Sequence, residues 1–208
     1  MRQYRGCSHL YYAVGTEGEG GVVTYGTPKV LAPVKSVSRD ISSENEKVYA
    51  DNVVQQITYG ATSVTRTFET TRIAPEVVAE LLGDATITIG DGAGAVTARS
   101  TNPDGSTRPI IAVGYALHDG NADQPCEVVW AYNCKVNSIS KSASTIDDGT
   151  GSEGQSVEIV NNAPKVAFTT TGKRNLDFVY PISEANKDKV ATFFAQVVTP
   201  DNASELLA

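Results

Sequence analysis

Histidine and cysteine are scarce in this chain: two of the first and three of the second among 208 residues. His9 and His118 stand far apart in sequence, so no Ser/His/Asp arrangement can be assembled above chance. Cys7, Cys126 and Cys134 are odd in number and follow no apolar leader, which argues against a disulfide framework and fits a reducing compartment. Cys7-Ser-His9 offers two zinc-type ligands without a second pair nearby, so the thiols read as small hydrophobes. No run of 18 apolar residues exists, so no spanning helix is expected. Met1-Arg-Gln-Tyr-Arg-Gly6 lacks the apolar centre of a signal peptide, and the general secretory route is not expected either. Basic residues are outnumbered, 17 Lys and Arg against 24 Asp and Glu, for a formal charge of −7. Phosphate neutralisation needs clustered Lys and Arg, so the chain is a poor sequence-specific binder of DNA or RNA. Nucleophile elbows, HExxH runs, P-loops and CxxC pairs are missing. Gly90-Asp-Gly-Ala-Gly-Ala95 has neither the Lys nor the following helix of a phosphate loop and reads as a turn. Asp147, Asp148, Thr150, Ser152 and Glu153 carry oxygens that suit calcium, but their spacing is not that of an EF-hand. The chain is expected to be no enzyme and to need no metal or cofactor.

What is present is a β-rich texture of Val, Thr and Tyr, with 18 Gly and 9 Pro spread as punctuation. From Cys126 to Val136 the even positions, Cys126, Val128, Trp130, Tyr132, Cys134 and Val136, are all apolar, which predicts a long strand with one apolar face. On such a strand Cys126 and Cys134 face the core too far apart to pair. Pro109 to His118 predicts a second strand, with Ile111, Val113, Tyr115 and Leu117 on one face, and a hairpin across Asp119 to Pro125. Further strands are expected at Leu10 to Val14, Gly21 to Leu31, Val34 to Ile41, Val53 to Phe68, Pro164 to Thr171 and Asn175 to Tyr180. Pro75 to Gly83 predicts a helix, with proline in the first turn, glycine at the end and Val77, Val78, Leu81 and Leu82 on one stripe. A second helix is expected from Ser183 as N-cap, carrying Ala185, Val190, Phe193, Phe194 and Val197 inward.

Two segments are acidic. Asp40 to Asp51 sets Asp40, Glu44, Glu46 and Asp51 against Lys47 alone, and Ser142 to Ala163 holds four acids and no base. Both read as solvated hairpin tips or loops.

The order of these elements resembles the major tail protein (tail tube protein) family of long, non-contractile-tailed bacteriophages of Gram-positive hosts, the siphophages. The similarity is carried by Leu10-Tyr-Tyr-Ala-Val14, the Gly15 to Gly21 turn, Thr24-Tyr-Gly-Thr-Pro-Lys-Val-Leu31 and Tyr49-Ala-Asp-Asn52. It continues through the Pro75 to Gly83 helix, Val113 to Ala116 and the Trp/Tyr strand at Val129 to Lys135. It spans about Leu10 to Val197; Ser142 to Ala163 does not align.

The resemblance implies an α+β, mainly antiparallel β fold: a β-sandwich or barrel-like tail tube domain with one or two flanking helices. Its long hairpins would join a β-barrel shared between subunits. Residues 1–200 would form one such domain and 201–208 a short C-terminal tail. The implied function is a structural virion protein that self-assembles into stacked hexameric rings, the tube through which DNA reaches the host. Its partners would be itself, a tape-measure protein, the tail terminator, distal tail and tip proteins, and transiting double-stranded DNA bound without sequence preference. No membrane is involved; the site is the virion tail, built in the host cytoplasm. Asp40, Glu44, Glu46 and Asp51 are the expected lumen or ring-stacking acids, and Trp130 and Tyr132 the expected tube-wall strand residues. The alternative is a surface-displayed immunoglobulin-like or carbohydrate- or calcium-binding β-sandwich module.

Overall fold

Alternating apolar residues make the hairpin at Ile110–His118 and Glu127–Lys141 the centre of the molecule, and the other strands assemble around it. The computed structural model describes residues 4–50, 53–120, 124–142 and 154–208, leaving aside the side chains of 44–50, 53–59 and 61. In chain order the elements are β1 Gly6–Glu17, β2 Val23–Tyr25, β3 Lys29–Val30, β4 Val34–Ala50, β5 Val53–Thr70, α1 Pro75–Leu82, β6 Ala85–Ile89 and β7 Val96–Ser100. They continue with β8 Ile110–His118, β9 Glu127–Lys141, β10 Gln155–Asn161, β11 Asp177–Pro181, α2 Lys189–Ala195 and α3 Ala203–Leu206. The fold is mainly antiparallel β with few helices. Its large sheet runs β2-β1-β8-β9-β10-β5-β4, with β3 on β1 and β11 on β9, while β6 and β7 form a separate ribbon. The large sheet curls into a half-barrel, which brings β1 and β4, far apart in that order, into contact.

Each face of the sheet carries its own core. The inner face packs Phe68, Ile111, Val113, Val129, Val136, Val157 and Ile159 against Val78 and Leu81 of α1. The outer face packs Ala13, Ala112, Ala116, Val128, Trp130 and Tyr132 under Phe193, Phe194, Val197 and Val198. Gly114 shows how the outer layer fits. A Cβ there would come within 2.9 Å of the Trp130 ring, so β8 offers Ala112, Gly114 and Ala116 as a floor of small residues for an indole. α1 ends as its sequence requires: Gly83 is left-handed at φ 68° and ψ 30°, and its N–H is donated to the Ala79 carbonyl.

Several expectations change on contact with the structure. The even positions of β9 do not share one face. Asn133, at φ 49°, is left-handed and sits at a break in the β8–β9 register, so Val128, Trp130 and Tyr132 face outward while Cys134 and Val136 face inward. The stretch from Ser42 is no loop; β4 runs on through Ala50. The polar segment from Ser142 contains β10, a strand flanked by β9 and β5, whose Gln155, Val157, Ile159 and Asn161 are buried; residues 143–153 lie outside the described part. Pro164 to Thr171 is not a strand, because the N–H groups of Thr169 and Thr170 are donated to the Asp201 carboxylate (3.1 and 2.7 Å) instead of a ladder. The second helix starts at Lys189 rather than Ser183. The side-chain carbonyl oxygen of Asn186 accepts from both the Ser183 N–H and hydroxyl (2.7 and 3.1 Å), which holds residues 183–186 in a turn.

Candidate assembly surfaces

β5 has two neighbours only in part. β10 pairs with it from Val64 to Thr70; from Ser63 back to Val53 its sole strand partner among the described residues is β4. The stretch of β4 from Ser42 to Ala50 therefore belongs to a two-stranded ribbon reaching roughly 30 Å past the sheet, at about 3.3 Å per residue. β4 pairs with β5 and no other strand among the described residues, so its second edge is open. Open edges of this length are pairing sites for other chains.

The outer surface of the sheet beside this ribbon is polar in three cross-strand rows. They read Ser36, Glu69, Ser156, Ser140; then Ser38, Thr67, Glu158, Ser138; then Asp40, Thr65, Val160, Lys135. None of these side chains is buried. Asp40 is thus an exposed member of a Ser/Thr-rich surface. Glu44 and Glu46 lie farther along β4, where backbone alone is described, and Asp51 lies outside the described residues. Trp130 and Tyr132 sit elsewhere, wholly enclosed on the outer face of β9. The indole N–H is donated to the Phe193 carbonyl at 2.8 Å and the Tyr132 hydroxyl to the Val198 carbonyl. Their contribution is the seal between β9 and the C-terminal segment, not surface.

Between the polar and sealed parts lies a buried polar seam that sequence reading did not reach. β10 and β11 share one edge of β9, and Arg66 and Asn161 fill the gap between them. The fully buried Arg66 guanidinium donates to the Asn161 side-chain carbonyl and to the Asp177 carboxylate, and reaches the Tyr115 hydroxyl at 3.4 Å. The Asn161 amide donates to the Tyr132 and Leu176 carbonyls. Asp177 also accepts from Arg39 of β4 at 2.9 Å. One arginine thereby ties four strands together and leaves no buried side-chain polar atom unpaired among those described.

The two histidines, distant in sequence, meet in space. Ser8 Oγ lies 2.6 Å from His9 Nδ1 and 2.7 Å from His118 Nε2, where β1 bulges against β8. His9 is left-handed at φ 56° and stacks on Phe194 at 5.3 Å. Burial, and secondarily the charge of His118, lowers the His9 pKa. The arrangement pins β1 to β8 and α2. All three cysteines are free. Burial raises the Cys7 and Cys126 thiols and pushes Cys134 up to about 12, which removes thiolate character at neutral pH.

A cavity of about 580 Å³ opens at one end of the half-barrel. Val37, Leu117, Val129 and Val179 line it, and Arg5, Lys35, Arg39, Glu127 and Asp177 stand around them. Tyr4 closes one side by donating its hydroxyl to Glu127 at 2.8 Å. Among the described residues no group of three or more His, Cys, Asp or Glu is placed to hold a metal ion, and no helix is long and apolar enough to cross a membrane.

No protein-family model matches the chain. No curated protein matches it either. Among solved structures it is similar to a chain of the PVC sheath-tube complex, an extracellular contractile injection system in its extended state. That match has 12% identity, 84% of this chain and 90% of that one covered, and a TM-score of 0.38. It is also similar to the anti-feeding prophage tube-terminating cap (9% identity, 83% and 88% covered, TM-score 0.40). A third likeness is to Hcp1 from Salmonella typhimurium (12% identity, 88% and 99% covered, TM-score 0.35).

Proposed function

We propose that the chain is the building block of a tube: six copies close into a ring, and rings stack into the tail tube of a long, non-contractile phage tail. The observation that carries this reading is the β4–β5 ribbon, which leaves the sheet with open edges and a polar surface beside it. A two-stranded ribbon is marginal alone in water. Six of them set edge to edge form a closed barrel in which every edge is an interface. The sequence resemblance to siphophage major tail proteins supports the same reading.

In such a barrel the Ser/Thr rows with Asp40, Glu69 and Glu158 face an aqueous lumen. Carboxylates there repel phosphate, so double-stranded DNA passes without being held. Asp40, Glu44, Glu46 and Asp51 are the acids proposed to face the lumen or the next ring, and β9, with Trp130 and Tyr132, belongs to the wall. The proposed partners are a tape-measure protein within the tube and terminator and tip proteins at its ends, in a virion tail assembled in the bacterial cytoplasm. Residues 1–200 form the proposed tube domain; in the remainder, Leu206 and Leu207 pack against the outer aromatic layer.

Negative-stain electron microscopy of the purified protein over a concentration series tests this. Rings or tubes with a central hole are expected. Single particles at every concentration overturn self-assembly.

A further inference from the structure

β6 and β7 form a ribbon with two unlike faces. Register sets Ile87 opposite Ala98 and Ile89 opposite Val96 on one face, and Thr86 opposite Arg99 and Thr88 opposite Thr97 on the other. Arg99 is tied to Asp84 at the ribbon's base. The apolar face is bare: Ile87, Ile89 and Val96 are 56%, 61% and 63% exposed. Binary patterning of this kind belongs to a strand pair with one covered face. A contiguous exposed apolar patch marks a contact surface, whereas single exposed hydrophobics do not. Nothing among the described residues of the chain covers this patch, which leaves it to a second molecule.

The half-barrel cavity has the complementary character. Its apolar floor of Val37, Leu117, Val129 and Val179 is concave, and Val179 is 45% exposed. Charge matches as well. The tip joining β6 to β7 holds one ionisable group, Asp91, and no base. The cavity mouth carries Arg5, Lys35 and Arg39 against Glu127 and Asp177, a small cationic excess; Arg39 is paired with Asp177, and Glu127 accepts from Tyr4. Waters against the four aliphatic side chains of this otherwise polar lining find few hydrogen-bond partners there. Their release on docking favours the contact.

We propose that the β6–β7 hairpin of one copy docks, apolar face inward, into the half-barrel cavity of the next copy, with Asp91 against Arg5 and Lys35. This rests on the ring-and-tube reading above and states which surface meets which. The contact is head-to-tail. Hairpin and cavity are different patches of one chain, so each docked copy still offers one of each, and the contact propagates instead of stopping at a dimer. Ile89 is the anchor, with Val96 beside it and Ile87 one pleat behind.

The test is a cysteine pair across the contact: I89C with V179C, in a chain carrying C7S and C126S. Mild oxidation at high protein concentration is followed by a non-reducing gel. The expected result is a covalent ladder of dimers, trimers and higher multimers that neither I89C nor V179C forms alone. No ladder overturns the docking. Dimers formed equally by I89C alone also overturn it, because hairpins would then face hairpins. Should the serine replacements impair folding, the same pair is read in the chain with its own cysteines, each single substitution serving as background. In parallel, I89N raises the concentration at which particles appear by about tenfold or more, the loss expected for one buried isoleucine; an unchanged onset counts against the anchor. Electron microscopy separates the two readings. Particles without a ladder overturn the docking alone, and a ladder without rings or tubes overturns the ring reading alone.

Discussion

The two halves of one sheet face are built on opposite principles. Over β1, β8 and the start of β9, the outer face is small residues and aromatics sealed beneath α2 and the segment after it. Over the end of β9, β10, β5 and β4, the same face is mostly serine, threonine and carboxylate, with Val160 and Lys135 among them and no cover among the described residues. The boundary is the register break at Asn133, where β9 turns Cys134 inward and leaves a polar residue outside. The first half is complete within one chain, because its apolar side chains are met by Phe193, Phe194 and Val197. The second half is incomplete in backbone, since it ends in a ribbon whose outer edges have no strand partner among the described residues. The sealed aromatic layer lies in the first, and the ring contacts proposed above lie in the second.

The largest effect is expected from breaking the sealed half. Trp130→Ala removes a fully buried indole and its bond to the Phe193 carbonyl, and should cost about 4 kcal/mol in denaturant unfolding. Next comes the seam between the halves. Arg66→Met leaves the Asn161 side-chain carbonyl without a donor and Asp177 with Arg39 alone, and should cost about 3 kcal/mol, part of which Asp177→Asn added to it restores; strict additivity of the two would mean that the pair is not coupled. Gly114→Ala presses a methyl against the Trp130 ring and should cost about 2 kcal/mol, with loss of near-ultraviolet indole dichroism. The bare half should respond least. Asp40→Lys with Glu158→Lys should shift stability by no more than about 0.5 kcal/mol each. In the tubes proposed above, the same pair should slow DNA passage and raise DNA retention at low salt. A large loss of stability from these two substitutions would erase the distinction between the halves. Tubes that fail to form, from subunits that remain stable, would make the acids stacking contacts instead of lumen residues.

The alternation in β8, the proline-to-glycine frame of α1 and the acidic, metal-poor composition are legible in the amino-acid sequence alone. So is the mainly antiparallel character of the fold. β10 and the β6–β7 ribbon leave signals that composition masks: Val157 and Ile159 alternate inside a polar segment, and Thr86-Ile-Thr-Ile89 alternates just before a glycine-rich turn. The aromatic residues of β9 are legible as buried, but not as facing the opposite way from Cys134 and Val136. No local pattern announces a left-handed Asn133, because asparagine adopts that conformation only when the surrounding ladder demands it. Arg66 is invisible as a core residue, since a buried guanidinium is tolerated only where partners from other strands converge.

The sequence by itself determined the local choices: which segments are strands of period two, where α1 begins and ends, and that charge of negative sign prevails. These follow from side-chain alternation, propensity and capping, which act over a few residues. Only the tertiary structure decided which face each strand turns to which core, which acids share a polar surface, that two distant histidines meet at Ser8, and that one apolar hairpin is left bare. Those outcomes depend on register between strands tens of residues apart, and a single bulge inverts every side chain beyond it.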